Sequence, residues 1–502
     1  MAGSSQPEAD RDAPTDTIRP VPSDSQSRPI APWASTEVDA WHDEADVVVV
    51  GLGCAGVCAA IEAAEAGAEV LCVEAAPMAG GTSAMSGGII YMGGGTPIQQ
   101  SCGFADSPKE MEAFLAAACG PGVDRDKLHQ YCRDSVEHYH WLVDHGVPFE
   151  ARYHPEHDRE PDDDSGLCYS GGEDSWPFTE VAAPAPRGHN PKFPDAAGGF
   201  LMKCLLDHLD GTAARVLHDA AAESLVTDEA GRVVGVHAIV DGEPKMLRAR
   251  KGVVLTAGGF TFNEEMVRQN CPDVLRVNVP IGTDRDDGAG IRMAQGVGAS
   301  TAGMNHIEVG IPLAPPRSLV RGILVNGDGR RFINEDTYAG RVGKSSLLEQ
   351  DGIAYFVHSD ETFAINIAGY KPKWVAEHPG ELEDAIGLPA GSLSQTLERY
   401  NAHASRGEDP EFHKSPEWLL PLEPPYGVVD MRVTKSFYAS FTLGGLATTS
   451  DGEVLDAASQ AIAGLFAAGR STAGIAGSGY VSGISLGDGT YFGRRAGRAA
   501  AT

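Results

Sequence analysis

Residues 44–77, EADVVVVGLGCAGVCAAIEAAEAGAEVLCVEAAP, decide the fold. Val47–Val50 form a short apolar run suited to a strand buried on both faces. The run leads directly into Gly51-Leu52-Gly53-Cys54-Ala55-Gly56, followed by an alanine-rich stretch of helical character up to Gly67. A second apolar run, Glu69–Val73, ends in Glu74, eighteen residues past Gly56. Strand, G-x-G-x-x-G, helix, strand and acid in that order predict a dinucleotide-binding unit. Gly51 permits the tight turn, Gly53 lets backbone approach a pyrophosphate, and Gly56 packs helix against strand, with Ala55 in the same turn. The helix N-terminus faces the phosphates, and Glu74 accepts from a ribose hydroxyl. Cys54 and Cys58 beside the turn read as packed thiols.

The next segment, MAGGTSAMSGGIIYMGGGTP (78–97), separates nicotinamide from flavin. A nicotinamide domain would continue with another βαβ unit. Here Gly80, Gly81, Thr82, Ser83, Ser86, Gly87 and Gly88 supply the small and hydroxyl residues needed along an extended ribityl-pyrophosphate. The segment resembles the "GG.S..SGG" stretch of the flavoprotein family that contains fumarate reductases and 3-ketosteroid dehydrogenases. Covalent members carry a histidine where Gly81 stands, so the resemblance implies FAD bound non-covalently.

Other stretches resemble that family in the expected order. AAESLVTDEAGRVVGVHAI (221–239) predicts a β-hairpin turning at DEAG, and the resemblance makes Val226 an adenine neighbour through its backbone. RKGVVLTAGGF (250–260) predicts a buried strand ending in Ala257-Gly258-Gly259. Residues 459–497 resemble the segment that closes over the flavin. There Gly469 opens onto the ribityl region, and Ser485 and Leu486 begin a helix whose N–H groups favour negative charge on reduced isoalloxazine. Arg470 departs from the acid usual after "AAG". The glycines of AGSGYVSGISLGDG (476–489) are expected to press against the isoalloxazine.

The expected fold class is α/β: a discontinuous Rossmann-type FAD-binding domain with an inserted α+β capping, catalytic domain. Residues 1–43 read as a disordered leader, rich in Pro, Ser and Asp, with Trp33 and Trp41 anchoring its end. Residues 44–275 and 431–502 form the two parts of the FAD domain, and 276–430 the inserted one. Within the insert, GILVNGDGRRFI predicts a hairpin turning at NGDG.

A net charge of −31, from 39 Lys+Arg against 70 Asp+Glu, excludes a basic footprint for nucleic acid or an anionic membrane surface. Nine scattered cysteines without CxxC spacing predict reduced thiols and a cytoplasmic protein. No run of about 18 apolar residues suggests an integral membrane segment. His138, His140, His145, His154 and His157 lack ligand spacing, and no metal site is expected. Asp162–Asp164 reads as a solvated loop, and Arg187 and His189 as residues that hold their loop over the flavin.

Fumarate reductases clamp a dicarboxylate with arginines and histidines. This sequence has Ala476 at a histidine position, Tyr480 at an arginine position and Ala339 near the proton-donating arginine, with Arg341 the remaining cation that could reach in. A neutral substrate is expected. A phenol and a hydroxyl beside a flavin suit a ketone, whose α proton becomes acidic when the carbonyl is polarised. Tyrosine, with an ordinary pKa of about 10, needs nearby donors or positive potential to act as a base at neutral pH. Ser482, two residues on, is expected to relay or tune the Tyr480 proton, and Tyr338 to supply the second phenol. Tyr91 and Tyr169 are further candidates for the pocket wall.

SGGIIYMGGGTPIQ, YSGGEDSWPFTEVAAPAPRGH, RGILVNGDGRRFINEDTYAGR, FTLGGLATT and GYVSGISLGDGTYFGRRAG resemble the 3-ketosteroid Δ4-(5α)-dehydrogenases. The resemblance places that family's catalytic tyrosines and serine on Tyr338, Tyr480 and Ser482. It implies hydride transfer from C5 to flavin N5, proton loss from C4 to a tyrosine, and a 4-ene-3-ketosteroid product. The electrons then pass to an unidentified acceptor. The rival readings are a 3-ketosteroid Δ1-dehydrogenase or an enoate or cyclic-ketone oxidoreductase, and, outside enzymes, a flavin redox carrier for a protein partner.

Overall fold

The Val47–Val50 run lies inside a nine-stranded sheet in the computed structural model, which describes residues 27–156, 160–311, 313, 316–365 and 368–502. Residues 1–26 of the expected leader, and His157, fall outside the described residues. The strands are β1 (Trp33–Ala34), β2 (Asp43–Val50), β3 (Val70–Val73), β4 (Arg215–Leu217), β5 (Ala220–Thr227), β6 (Val233–Val240), β7 (Glu243–Leu255), β8 (Glu453–Leu455) and β9 (Ala461–Ala467). Their order is β1-β5-β6-β7-β2-β3-β4, with β9 also paired to β7 and β8 to β9. β2 runs parallel to β3 and to β7. Val47 and Val49 face one apolar cluster and Val48 and Val50 another, so a two-sided valine strand is what this position requires. β7 is antiparallel to β6 over its first half and parallel to β2 and β9 over its second.

Helix α1 (Cys54–Glu65) connects β2 to β3, as the glycine spacing predicts, and helix α2 (Ile484–Ala500) lies against it. A Cβ on Gly493 or Gly497 would come within 2.3 Å of Ala55 O or 2.0 Å of Ala59 O, so glycine sets the closeness of this pair. On the other flank of α1, a Cβ on Gly56 would stand 1.9 Å from Gly51 O and 2.7 Å from Thr256 Oγ1. Backbone cannot yield that distance without moving α1. Gly56→Ala is expected to cost at least the 1–3 kcal/mol typical of overpacking, about, and to lower both Tm and the flavin absorbance per protein.

The expected hairpin at 221–239 is β5–β6, and its turn is held by Asp228 Oδ1, which accepts from the Ala230 and Arg232 amides. The segment taken as leader is not wholly outside the fold. β1 pairs in parallel with β5, Trp33 opposite Val226, and Ile30 N donates to Arg292 O. Trp41 lies against Gly235, where a Cβ would meet its ring at 2.8 Å. Both tryptophans thus anchor this segment on the sheet.

Between β7 and β8 the chain builds a second, four-stranded antiparallel sheet from Ile323–Val325, Tyr355–Ser359, Tyr426–Asp430 and Trp374–Ala376. The helices Pro379–Ile386 and Ser392–Ala404 share an apolar core with it through Leu382, Leu393, Leu397 and Val428. The NGDG turn forms, with Asn326 Oδ1 accepting from the Asp328 and Arg330 amides. Its two arms meet only at a bridge between Val325 and Arg331, because Ile323–Val325 pairs instead with Tyr355–Val357. Beyond the turn, buried Arg331 is held between Glu335 at 2.8 Å and Asp409 at 2.9 Å, and Lys414 adds a 2.7 Å contact to Glu335. This paired cluster fixes the segment that delivers Tyr338.

Candidate active site

A cleft of about 800 Å³ opens where β2, the N-termini of α1 and α2, and the strand Ile307–Gly310 converge. Gly51, Gly53, Ala55, Glu74, Gly81, Thr82, Ser83, Ser86, Gly87 and Gly88 line it from the first part of the chain. Ala257, Gly258, Gly469, Arg470, Ser485 and Leu486 line it from later segments, as do Tyr338, Tyr480 and Ser482.

The α1 end is built to receive an anion. Gly53 is its N-cap and supplies no side-chain cap; the Cys54 amide donates to Ser83 Oγ at 3.1 Å, and the Ala55 and Gly56 amides have no carbonyl partner among the described residues. A Cβ on Gly53 would meet nothing closer than Ser83 Oγ at 3.5 Å, which leaves room for a group against the backbone. Glu74 is buried, its oxygens accepting from Leu52 N at 2.8 Å and Ala76 N at 2.9 Å, with lone pairs left for a ribose hydroxyl. At the α2 end Gly483 takes φ 93° as N-cap, again without a side-chain cap.

Arg470 bridges these two ends. Its guanidinium pairs with Asp286 at 2.7 Å, while Nη1 is buried with no hydrogen-bond partner among the described residues. Asp286 also accepts from Thr82 Oγ1 at 2.6 Å and from the Gly259 amide at 2.9 Å. Burial alone would raise the Asp286 pKa, yet Arg470 and these donors outweigh it and hold the carboxyl below its ordinary value. The remaining first-turn amides of α1, the open Gly53 and the orphaned Nη1 fit a bound dinucleotide. Gly81 and the Ser83–Gly88 backbone would run along it, and FAD would supply the acceptor for a substrate's electrons.

The other half of the cleft holds the phenols. Tyr480 Oη donates to Ser485 Oγ at 3.1 Å and accepts from the Ser485 amide at 3.4 Å, and its ring meets Phe441 edge-on at 5.2 Å. Burial pushes its pKa up to about 12, against the opposing pull of the Ser485 bonds. Tyr338 is buried at the start of the helix Ala339–Lys344 and donates to Glu308 Oε1 at 3.0 Å. Glu308 lies on Ile307–Gly310, and burial raises its carboxyl to about 7 despite the Tyr338 hydrogen bond and the nearby Lys344. Ser482 lines the cleft, its backbone tied to Ser170.

The sequence matches the profile of the FAD binding domain family over residues 46–486. The chain belongs to this family. Within it, the chain is 29% identical over 496 residues to the 3-oxo-5-alpha-steroid 4-dehydrogenase of Comamonas testosteroni, covering 86% of this chain and 93% of that one. It is 46% identical, with a TM-score of 0.91, to a 3-ketosteroid-Δ4-(5α)-dehydrogenase from Rhodococcus jostii RHA1 solved with 4-androstene-3,17-dione. That match covers 94% of this chain and 100% of the other. The 3-ketosteroid Δ1-dehydrogenase of Sterolibacterium denitrificans, at 22% identity and a TM-score of 0.70 over 91% and 99% of the two chains, shares the fold. The resemblance read from the sequence and the FAD expected from it both hold.

Several expected positions of this FAD binding domain protein sit elsewhere. The Val226 side chain is fully buried, with β1 paired beside it, and Ala220–Ala222 of the hairpin line the cleft. Gly56 and Gly80 stand behind the lining: Gly56 against β2 and β7, Gly80 donating its amide to Leu52 O. Gly477 and Gly479 press against the backbone of Ala118–Val123, and of that run's glycines Gly483 borders the cleft. Tyr480 bonds to Ser485, where Ser482 was the expected partner. Arg341 is occupied with Asn334 and Thr337 and does not line the cleft, nor do Tyr91 and Tyr169.

The polar residues noted beside the site have local partners. Arg187 pairs with Asp106 at 2.7 Å in full burial, and His189 bonds to Thr96 at 2.8 Å. His145 and His208 both lie beside Glu65, at 3.2 and 3.1 Å. Two cleft residues escaped the sequence reading, Asp286 and Glu308. Glu308 had one available signal, an acid inside the apolar stretch Ile307–Leu313.

Proposed function

We propose that this chain is an FAD-dependent oxidoreductase that removes the C4 and C5 hydrogens of a 3-ketosteroid, yielding a 4-ene-3-ketosteroid. The observation that carries the reading is the pairing of two unlike phenols in one cleft. Tyr480, with a pKa of about 12, keeps its proton at neutral pH, and Ser485 Oγ is a neutral acceptor that a ketone oxygen can replace. It therefore serves as donor to the 3-keto oxygen, which drains charge from C4 and acidifies its proton. Tyr338 directs its own hydrogen to Glu308, and its oxygen is the group assigned to receive the C4 proton. Ser482 borders the same space as a further hydroxyl contact for the substrate.

Several features support the finer parts of this reading. Arg470 is neutralised by Asp286 and Arg341 is turned away, so a carboxylate clamp is not what these residues make. Gly81 has no side chain to form a covalent flavin link, which favours non-covalent FAD. Residues 276–430, which bring Glu308 and Tyr338 to the cleft, act as the capping domain. The described cysteines form no disulfide, which agrees with a reducing, cytoplasmic setting.

Anaerobic addition of a saturated 3-keto-5α-steroid is expected to bleach the yellow protein and yield the 4-ene product. No bleaching with any saturated cyclic ketone, together with reduction by a protein donor, would overturn the reading in favour of a redox carrier. A 1-ene product would assign the Δ1 reaction instead.

A further inference from the structure

Glu308 is a wall between two cavities. With Tyr338 and Tyr480 it lines the main cleft, and the same three residues line a second cavity of about 330 Å³ behind them. Arg341, Lys344 and Glu411 line that smaller cavity as well. Dehydrogenation delivers one proton to a phenol at every turnover, and that proton has to leave before the next substrate reacts. The main cleft is a poor exit, because substrate and cofactor would fill it. Resting on the dehydrogenase reading above, we propose that Glu308 is the proton-relay residue that takes the proton from Tyr338 and releases it into the smaller cavity.

The step balances without a further reactant. The C4–H bond breaks and leaves its electron pair to form the C4=C5 bond, while two electrons depart with the C5 hydrogen to the flavin. The C4 proton binds Tyr338 Oη as that oxygen's own hydrogen passes along the 3.0 Å hydrogen bond to Glu308 Oε1. The resulting carboxylic acid then gives one proton to water in the smaller cavity. A carboxyl raised to about 7 by burial is matched to this task, since it both accepts and releases near neutral pH.

The groups that face Glu308 come from each element around it. Tyr338 and Lys344 belong to the helix beside it, and Tyr480 to the loop before α2. Cys119 approaches from the end of the Pro108–Ala118 helix, and His306, just before the Glu308 strand, interacts with Lys344. Lys344 donates to Ile307 O and to Ser478 O, which fixes its ammonium next to the carboxylate. Its positive charge favours the ionised carboxylate that the relay needs.

Glu308→Gln is the test, because it removes the proton acceptor and keeps the shape. Its kcat for the saturated steroid is expected to fall about 100-fold, and the acidic limb of the kcat–pH profile, near pH 7 in the parent, to vanish. The solvent deuterium isotope effect should rise, steroid affinity measured by flavin perturbation should stay within about twofold, and Glu308→Asp should restore the limb. An unchanged limb and isotope effect in Glu308→Gln would overturn the relay. If Glu308→Gln does not fold, Lys344→Met, which retains the carboxyl but removes the neighbouring cation, is expected to move the limb to higher pH; an unmoved limb overturns the proposal. Failure of the dehydrogenase reading is told apart at once, as the parent flavin would then not be bleached by the steroid.

Discussion

Tyr480→Phe is expected to lower the rate of steroid-driven flavin reduction by about 10²–10³-fold with no loss of bound flavin. The magnitude is that of deleting one preorganised donor at a developing oxyanion. Tyr480 suits that role because its hydroxyl sits at the start of α2, bonded on both sides by Ser485 and backed by Phe441. Removing one oxygen leaves the ring contact with Phe441 intact. Ser485 is in the partly open cleft and can turn to water, so folding is spared. Anaerobic stopped-flow at the flavin absorbance measures the rate, and the absorbance ratio of purified protein measures retention. A variant reduced at the parental rate would remove Tyr480 from the reaction. Because its pKa stands near 12, the donor role also implies that loss of activity through this residue comes only at strongly alkaline pH.

Asp286→Ala is expected to strip the protein of flavin and to lower its stability by about 3–5 kcal/mol, the cost of leaving a buried partner charge alone. Four groups lose their acceptor at once: the Arg470 guanidinium, the Thr82 hydroxyl, and the Gly259 and Thr283 amides. Two of these, Thr82 and Arg470, are cleft residues, so the damage reaches the cofactor directly. The parent carboxyl is held below its ordinary value of 3.8. Its contribution is therefore fully present above that value and is lost as pH falls through the depressed one. Thermal unfolding of parent and variant should converge under strongly acidic conditions and separate above pH 4, about. Equal Tm values at neutral pH would show that Asp286 is not the keystone of this pair.

The cofactor half of the cleft was legible because its information is local. Gly51, Gly53 and Glu74 act through spacing within one βαβ unit, and the backbone geometry they serve is the same wherever that unit occurs. Arg470 shows where local reading stops. The acid expected after Ala468-Gly469 is missing, but Asp286 brings a carboxylate to the same place from a segment 184 residues away. No spacing rule joins two such positions. Glu308 was hidden for the same reason: its meaning depends on Tyr338 and Lys344 arriving from another element. The hairpin was legible, but the pairing of β1 beside Val226 was not, because that strand comes from a stretch whose composition resembles a solvated tail.

The glycine contact between α1 and α2 has a bearing on biosynthesis. β2 and α1 are among the earliest described elements to be translated, whereas β9 and α2, which complete the sheet and the cleft, are among the last. At about 5–20 residues per second, the interval between them is tens of seconds. Throughout it the face of α1 that Gly493 and Gly497 will cover has no partner, and the Arg470 side of the cleft does not exist. The complete set of residues that line the cleft therefore exists only once α2 has been synthesised.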